Sequence, residues 1–240
     1  MKKYNNIPGA VAIGVFVACL SCACFPIPIK GNGIMTSSEK SVSPFESIHV
    51  SGSAVVVFHE SQEYRVAVTV DSNLNEYIRV YSEDNVLKIS TQREKRCVFT
   101  QFKVDVYCSG ISNLSISGAA RFECGDPIIT SSFKTIISGA GKITGTIECD
   151  TFTANISGAA QIMLAGSCND LDLSLSGAGT FAGDDFKTNN AAVNISGTAN
   201  VDLWVLEHLN ARVNGTGKIT YRGDPKIDFT GSGLGRLERR

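Results

Sequence analysis

Beyond residue 44, apolar and polar residues alternate with period two along most of the chain, as in "LDLSLSG" (171–177) and "ANVDLW" (199–204). Alternation rich in β-branched residues predicts short strands with one buried face. The pattern is punctuated by recurring words: "SISGAARFE" at 115–123, "IISGAGKIT" at 136–144, "NISGAAQIM" at 155–163, "SLSGAGTFA" at 174–182 and "NISGTANVD" at 194–202. With the serine of each Ser-Gly as position zero, the zeros are Ser117, Ser138, Ser157, Ser176 and Ser196. Asn214 and Thr230 continue the series with small polar substitutes. The successive intervals are 21, 19, 19, 20, 18 and 16 residues. A sustained period of this length marks a solenoid.

Three apolar columns keep step with the corners. One residue before zero stand Ile116, Ile137, Ile156, Leu175, Ile195, Val213 and Phe229. Five after stand Phe122, Ile143, Ile162, Phe181, Val201 and Ile219, and five before stand Phe133, Phe152, Leu171, Ala191 and Leu209. Each repeat therefore holds at least two short strands joined by Ser-Gly-Ala/Thr. A repeat spans about 60 Å of extended chain at roughly 3.3 Å per residue, enough for one turn of a coil and too little for a crossover helix. One coil cannot bury its own apolar face, so coils must stack with their strands parallel. The sequence thus predicts an all-β protein built on a parallel β-helix of about 19 residues per coil, right-handed by the usual crossover bias.

In this fold the corner glycines Gly118, Gly139, Gly158, Gly177, Gly197 and Gly215 have a structural reading: a bend that needs backbone angles open to glycine. Ala or Thr two residues after zero is small enough to point into the corner. The serine can bond nearby backbone or its copy one coil away. A phosphate-cradling Gly loop would need a following helix, and none follows.

Residues 44–110 share one corner, Ser51-Gly52-Ser53, and then lose the period. "EYRVAVTVD" (63–71) and "FKVDVYC" (102–108) read as strands, and "YIRVYSEDNVLKIST" (77–91) as a hairpin around Glu83-Asp84-Asn85. This block is expected to form a β-unit that closes the open edge of the stack. The solenoid is expected over 111–235, with "RLERR" (236–240) as a charged tail at its far end.

The first 24 residues read as an export signal: a basic "MKK", then the apolar "PGAVAIGVFVACLS" (8–21), too short for a comfortable membrane span. The run ends in "CLSCACF", which resembles a lipobox. Cys22 is the first choice for lipid attachment, with Cys19 and Cys24 open. Residues 25–43, rich in Pro, Gly and Ser, read as a flexible tether. A lipid-tethered protein of the outer membrane is expected, with cell surface and periplasmic face both open. Five cysteines follow the signal: Cys97, Cys108, Cys124, Cys149 and Cys168. Export permits disulfides, but the odd count leaves a thiol over. Cys149 and Cys168 each lie eight residues before their zero and should stack on adjacent coils, where a disulfide is conceivable but not required.

Composition removes several functions. With a net charge of -1 and no concentration of Lys and Arg over the body of the chain, there is no footprint for nucleic acid. No Cys-x-x-Cys follows the signal, and the only histidines are His49, His59 and His208, so no metal or cofactor is expected. A polysaccharide lyase or hydrolase on a β-helix, the alternative function, would need clustered carboxylates on an outer face. Asp170 and Asp172 on one strand and Asp184 and Asp185 in a turn read as solvated surface. "RGD" at 222–224 reads as part of a turn with Pro225.

"FESIHVSGSAVVVFHE" (45–60), the "VLKIST" hairpin arm, "NLSISGAA", the serial corners and "YRGDPKIDFTGSG", in that order, are similar to the putative auto-transporter adhesin, head GIN domain family over roughly 44–235. The resemblance implies a right-handed β-helix and an exported protein of the Bacteroidetes type, and the ladders of small polar residues without a catalytic cluster point to a noncatalytic module. Its partners would be the membrane through a lipid, and a glycan or envelope protein. It carries over no catalytic residues. In this family Tyr221, Gly223 and Pro225 belong to a structural turn.

Overall fold

The computed structural model describes residues 28–92, 96–232 and 234–240. The export signal and the candidate lipid site Cys22, with Cys19 and Cys24, lie outside the described residues.

The corners stack in register and the chain winds a β-solenoid of about seven turns with ~19 residues per coil. Ala140–Ile156, Ala159–Leu175, Ala178–Ile195 and Thr198–Val213 pair parallel in succession. Each of these four coils is one continuous strand from corner to corner, where the sequence suggested at least two. The strand bends midway without losing its pairing, partly through Gly145 and Gly166, whose φ angles are +143° and +111°. The uneven repeat lengths are absorbed by register shifts between Ala182 and Lys187 and between Thr188 and Asn190.

The three apolar columns fill the core. All members at positions five before, one before and five after zero are buried, except Phe229 in the last coil. Stacking puts like on like, and Phe133 and Phe152 lie 5.8 Å apart with rings 16° from parallel. Burying each such ring contributes on the order of 2–3 kcal/mol of transfer free energy. One core side chain is mismatched: the Thr135 hydroxyl is fully buried, between Leu114 and Ala154 in the stack, and has no hydrogen-bond partner.

The corner itself differs from the sequence reading in two ways. None of the stacked corner glycines has a φ in the left-handed region. They are required by proximity instead. A Cβ on Gly158 would stand 2.0 Å from the Gly139 carbonyl oxygen, and Gly118, Gly139, Gly177, Gly197 and Gly215 repeat this contact at 1.9–2.2 Å. Two backbone bonds per corner draw the coils together, Ser157 N–H to Ile137 O and Ala159 N–H to Gly139 O, both 2.9 Å. The residue two after zero, expected to point inward, is exposed at Ala119, Ala140, Ala159, Ala178 and Thr198. The residue three after zero turns in, and it is always small: Ala120, Gly141, Ala160, Gly179, Ala199, Gly217.

Ser47–Val50 and Val55–Glu60 form the first coil, pairing parallel with Asn113–Ile116 and Ala119–Cys124. On their other edge Val86–Thr91 and Phe102–Cys108 add in parallel, followed by antiparallel strands Ile78–Glu83 and Arg65–Asp71. The expected hairpin is present. Its turn is the two residues Asp84 and Asn85, with φ of +52° and +64°, the left-handed angles a tight hairpin uses. This curled mixed sheet covers the N-terminal end of the stack. It also recruits part of the expected tether: Met35–Ser41 pairs antiparallel with Arg65–Asp71 over its whole length. The strand is polar on both faces and is held by backbone bonds at an edge, so it has little apolar period to betray it.

Candidate functional site

A long concavity runs along the corners, on the side that follows each Ser-Gly. It measures about 1090 Å³. Its floor is the stacked pairs two and three after zero, methyl and glycine surface from Ala119-Ala120 to Thr198-Ala199. Its rim is the next column: Arg121, Lys142, Gln161, Thr180 and Asn200, cationic near the N-terminal sheet and neutral beyond. The small residues that let the coils close up therefore also leave a trough outside. The sequence reading treated the corners as purely structural; the groove they line was missed because the exposed residue had been placed inward.

One end of the groove is walled by residues 97–102, where Cys97–Val98 pairs parallel with Ile29–Lys30, Val98 is 49% exposed and Phe99 packs on Phe102 at 5.0 Å between ring centres. This wall is pinned by Asp71. Its carboxylate is fully buried and accepts the amides of Thr100 at 2.8 Å and Gly33 at 2.9 Å. Burial pushes the carboxyl up, but the Thr100 and Gly33 amides, with the Thr100 hydroxyl and the Gln101 amide, outweigh it and hold the group below the ordinary aspartate range. The signal in sequence is slight: an acid closing the apolar strand "RVAVTVD".

On the other side of the Ser-Gly ridge lies a smaller groove of about 260 Å³, where Asn155, Ser174, Asn194 and the corner serines alternate with Ile136, Leu175 and Ile195. Ser176 donates from Oγ to the Ile156 carbonyl at 3.3 Å, as expected for a residue that bonds the coil before it.

Of the acids singled out in the sequence, Asp170 and Asp184 are tied into separate contacts, while Asp105 and Asp126 flank His59. Asp170 accepts the side-chain amides of Asn169 and Asn190, and Asp184 accepts Arg240 Nη1 at 2.7 Å. The densest cluster was not foreseen: His59 Nε2 lies 2.9 Å from Asp105 Oδ1, Lys103 Nζ lies 2.8 Å from the same oxygen, and Tyr107 stacks on the His59 ring. Burial raises the Asp105 carboxyl, but Lys103 and His59 overcome it and hold the group below the ordinary aspartate range. Among the described residues no group of three His, Cys, Asp or Glu is placed to hold a metal ion.

Cys149 and Cys168 are register partners, as the spacing predicted, and both are thiols. Burial lifts Cys124 and Cys149 to about 12 and Cys108 and Cys168 to about 11, out of the reactive range; at Cys149, Cys168 and Asp150 add to the rise. In the Arg222-Gly223-Asp224 turn, the Arg222 guanidinium sits 3.8 Å over the Trp204 ring and donates to the Asp184 carbonyl. Gly223 has φ +109° and lies against the Val205 carbonyl. The arginine is thus committed within the molecule, and the structural reading of the turn holds.

A parallel β-solenoid with an N-terminal curled mixed sheet defines the architectural class of the protein. Residues 44–225 match the family described as "Putative auto-transporter adhesin, head GIN domain", and the chain belongs to that family. No curated protein matches the chain. Among solved structures, a putative adhesin of Bacteroides fragilis superposes with a TM-score of 0.83 at 19% identity, covering 88% of this chain and all of its own. A protein of Parabacteroides distasonis described as a putative lipid binding protein gives 0.72 at 22% identity, covering 89% of this chain and 100% of its own. A putative adhesin of Parabacteroides merdae gives 0.61 at 18% identity, over 88% of this chain and 98% of its own. These likenesses show the fold. The family implies an exported protein.

Proposed function

We propose that the protein is a noncatalytic binding module of the cell envelope, tethered by lipid at Cys22, that holds an extended ligand in the groove beside its corners. The carrying observation is the groove's form: an open trough across successive coils, with a methyl-rich floor and a rim of Arg121, Lys142, Gln161, Thr180 and Asn200. An extended glycan strand suits it, since sugar faces rest on apolar surface while hydroxyls meet polar rim groups at each rung. The carboxylates described above are engaged as structural acceptors, which favours holding a ligand over cleaving it.

Screening the purified chain against glycan and envelope-component arrays, then repeating the screen with Ala159→Trp, tests the reading. Ala159 is exposed, so the indole fills the trough without entering the core. Binding that falls at least about tenfold with an unchanged melting temperature is the expected result. Ligands bound equally by both proteins would place recognition elsewhere, and retention of a lipid alone would redirect the assignment to acyl chains. The anchor is tested separately: Cys22→Ser should abolish incorporation of a labelled fatty acid in cells, and undiminished label would reject Cys22.

A further inference from the structure

The two ends of the coil stack are unlike. The N-terminal end is sealed by the mixed sheet, whereas Lys226–Gly231 and Arg236–Arg239 at the far end each pair on one side only among the described residues. Among the described residues no further coil covers their core-facing side chains. Ile227 is 40% and Phe229 37% exposed, and Leu234 in the connecting turn is 69% exposed. The backbone edge is directed too. Ser232 N–H bonds back to Val213 and Arg240 N–H to Tyr221. Alternation along the strand then turns the amides and carbonyls of Ile227, Phe229 and Leu237 away from the stack.

We propose that this end face is a self-association surface on which a second copy of the chain adds antiparallel, tail to tail about a two-fold axis. A two-fold interface must be self-complementary, and both strands satisfy that requirement in the register their edges allow. Placing Ile227 opposite its own copy makes it an exchanging hydrogen-bonded pair. The flanking non-hydrogen-bonded pairs, where side chains approach most closely, are then Lys226 against Asp228 in both directions. Placing Leu237 opposite its copy likewise sets Arg236 against Glu238. The two strands flank the last corner and present to the same partner. A head-to-tail copy would instead meet the sealed end.

Sedimentation velocity on the purified chain over a wide concentration range reads the association. A reversible dimer is expected. Asp228→Lys puts like charges opposite Lys226 twice in each dimer and should weaken dimerisation at least about tenfold. Lys226→Asp combined with Asp228→Lys restores the opposite-charge pairs and should restore the dimer. A chain that stays monomeric throughout, or a dimer indifferent to Asp228→Lys, overturns the proposal. A single variant that fails to associate because it is misfolded is recognised by its melting curve, and the double variant then decides.

Discussion

Replacing Gly158 by alanine tests the reason for the corner glycines. Two demands are conceivable at such a position, an unusual φ or a close neighbour, and the structure supports the second. The added methyl would lie 2.0 Å from the Gly139 oxygen, where real Cβ contacts stay beyond 3.0 Å, so the two corners must part by about 1 Å. The bonds from Ser157 and Ala159 to the preceding coil, both 2.9 Å, would then stretch past useful range. Losing two such bonds, with amides left poorly satisfied, costs about 2–4 kcal/mol. For a chain of this size that corresponds to a fall in Tm of roughly 5–15 °C. Gly52 is the internal control. It has the same sequence word, but its Cβ would meet nothing nearer than 3.8 Å, because it sits at the start of the corner stack. Gly52→Ala should stay within about 0.5 kcal/mol of the parent. Thermal unfolding followed by circular dichroism compares the two. Equal destabilisation by both, or a silent Gly158→Ala, would refute the proximity account.

Thr135→Val removes a buried hydroxyl without a partner and keeps the shape, so the chain should gain about 1 kcal/mol in urea denaturation; a loss would mean the hydroxyl is satisfied in solution. Asp71 has a folded-state pKa below its ordinary 3.8, so its contribution is present above that value and disappears as pH falls through the lower one. Asp71→Asn should therefore be less stable at neutral pH and show a flatter loss of stability on acidification, measured by melts across the acid range. Cys108, Cys124, Cys149 and Cys168, with thiols raised to about 11–12, should resist iodoacetamide at pH 8 until denaturant is added; mass spectrometry of native protein carrying four labels would contradict the raised values. Asp224→Glu should leave any cell attachment unchanged, because Arg222 of the tripeptide is held by Trp204 and Asp184.

The coil stack was legible because a solenoid writes its geometry into the sequence at a fixed interval. Ile116, Ile137 and Ile156 meet in space for the same reason that they recur in the chain. What a single period cannot carry is the origin of a residue choice: glycine for an angle and glycine for a close oxygen are the same letter. Ala159 was placed on the wrong side for a related reason. After a corner, the inside–outside alternation restarts, and only the stacking shows that Ala160 inherits the core. The N-terminal sheet was legible as strands but not as pairings, since its partners are set by tertiary contact between segments as distant as Met35–Ser41 and Arg65–Asp71. The Asp71 pin joins three segments through backbone amides, which leave no mark on side-chain sequence.

Because every rung of the groove floor is supplied by one coil, the number of coils fixes its length. Gain or loss of one repeat would lengthen or shorten the trough by about 4.8 Å, one strand spacing, while leaving its cross-section and its end wall untouched. The corner column is in this sense a molecular ruler. On the proposed function, relatives that differ by whole coils would grade ligands by length, with no change in the residues that touch each unit.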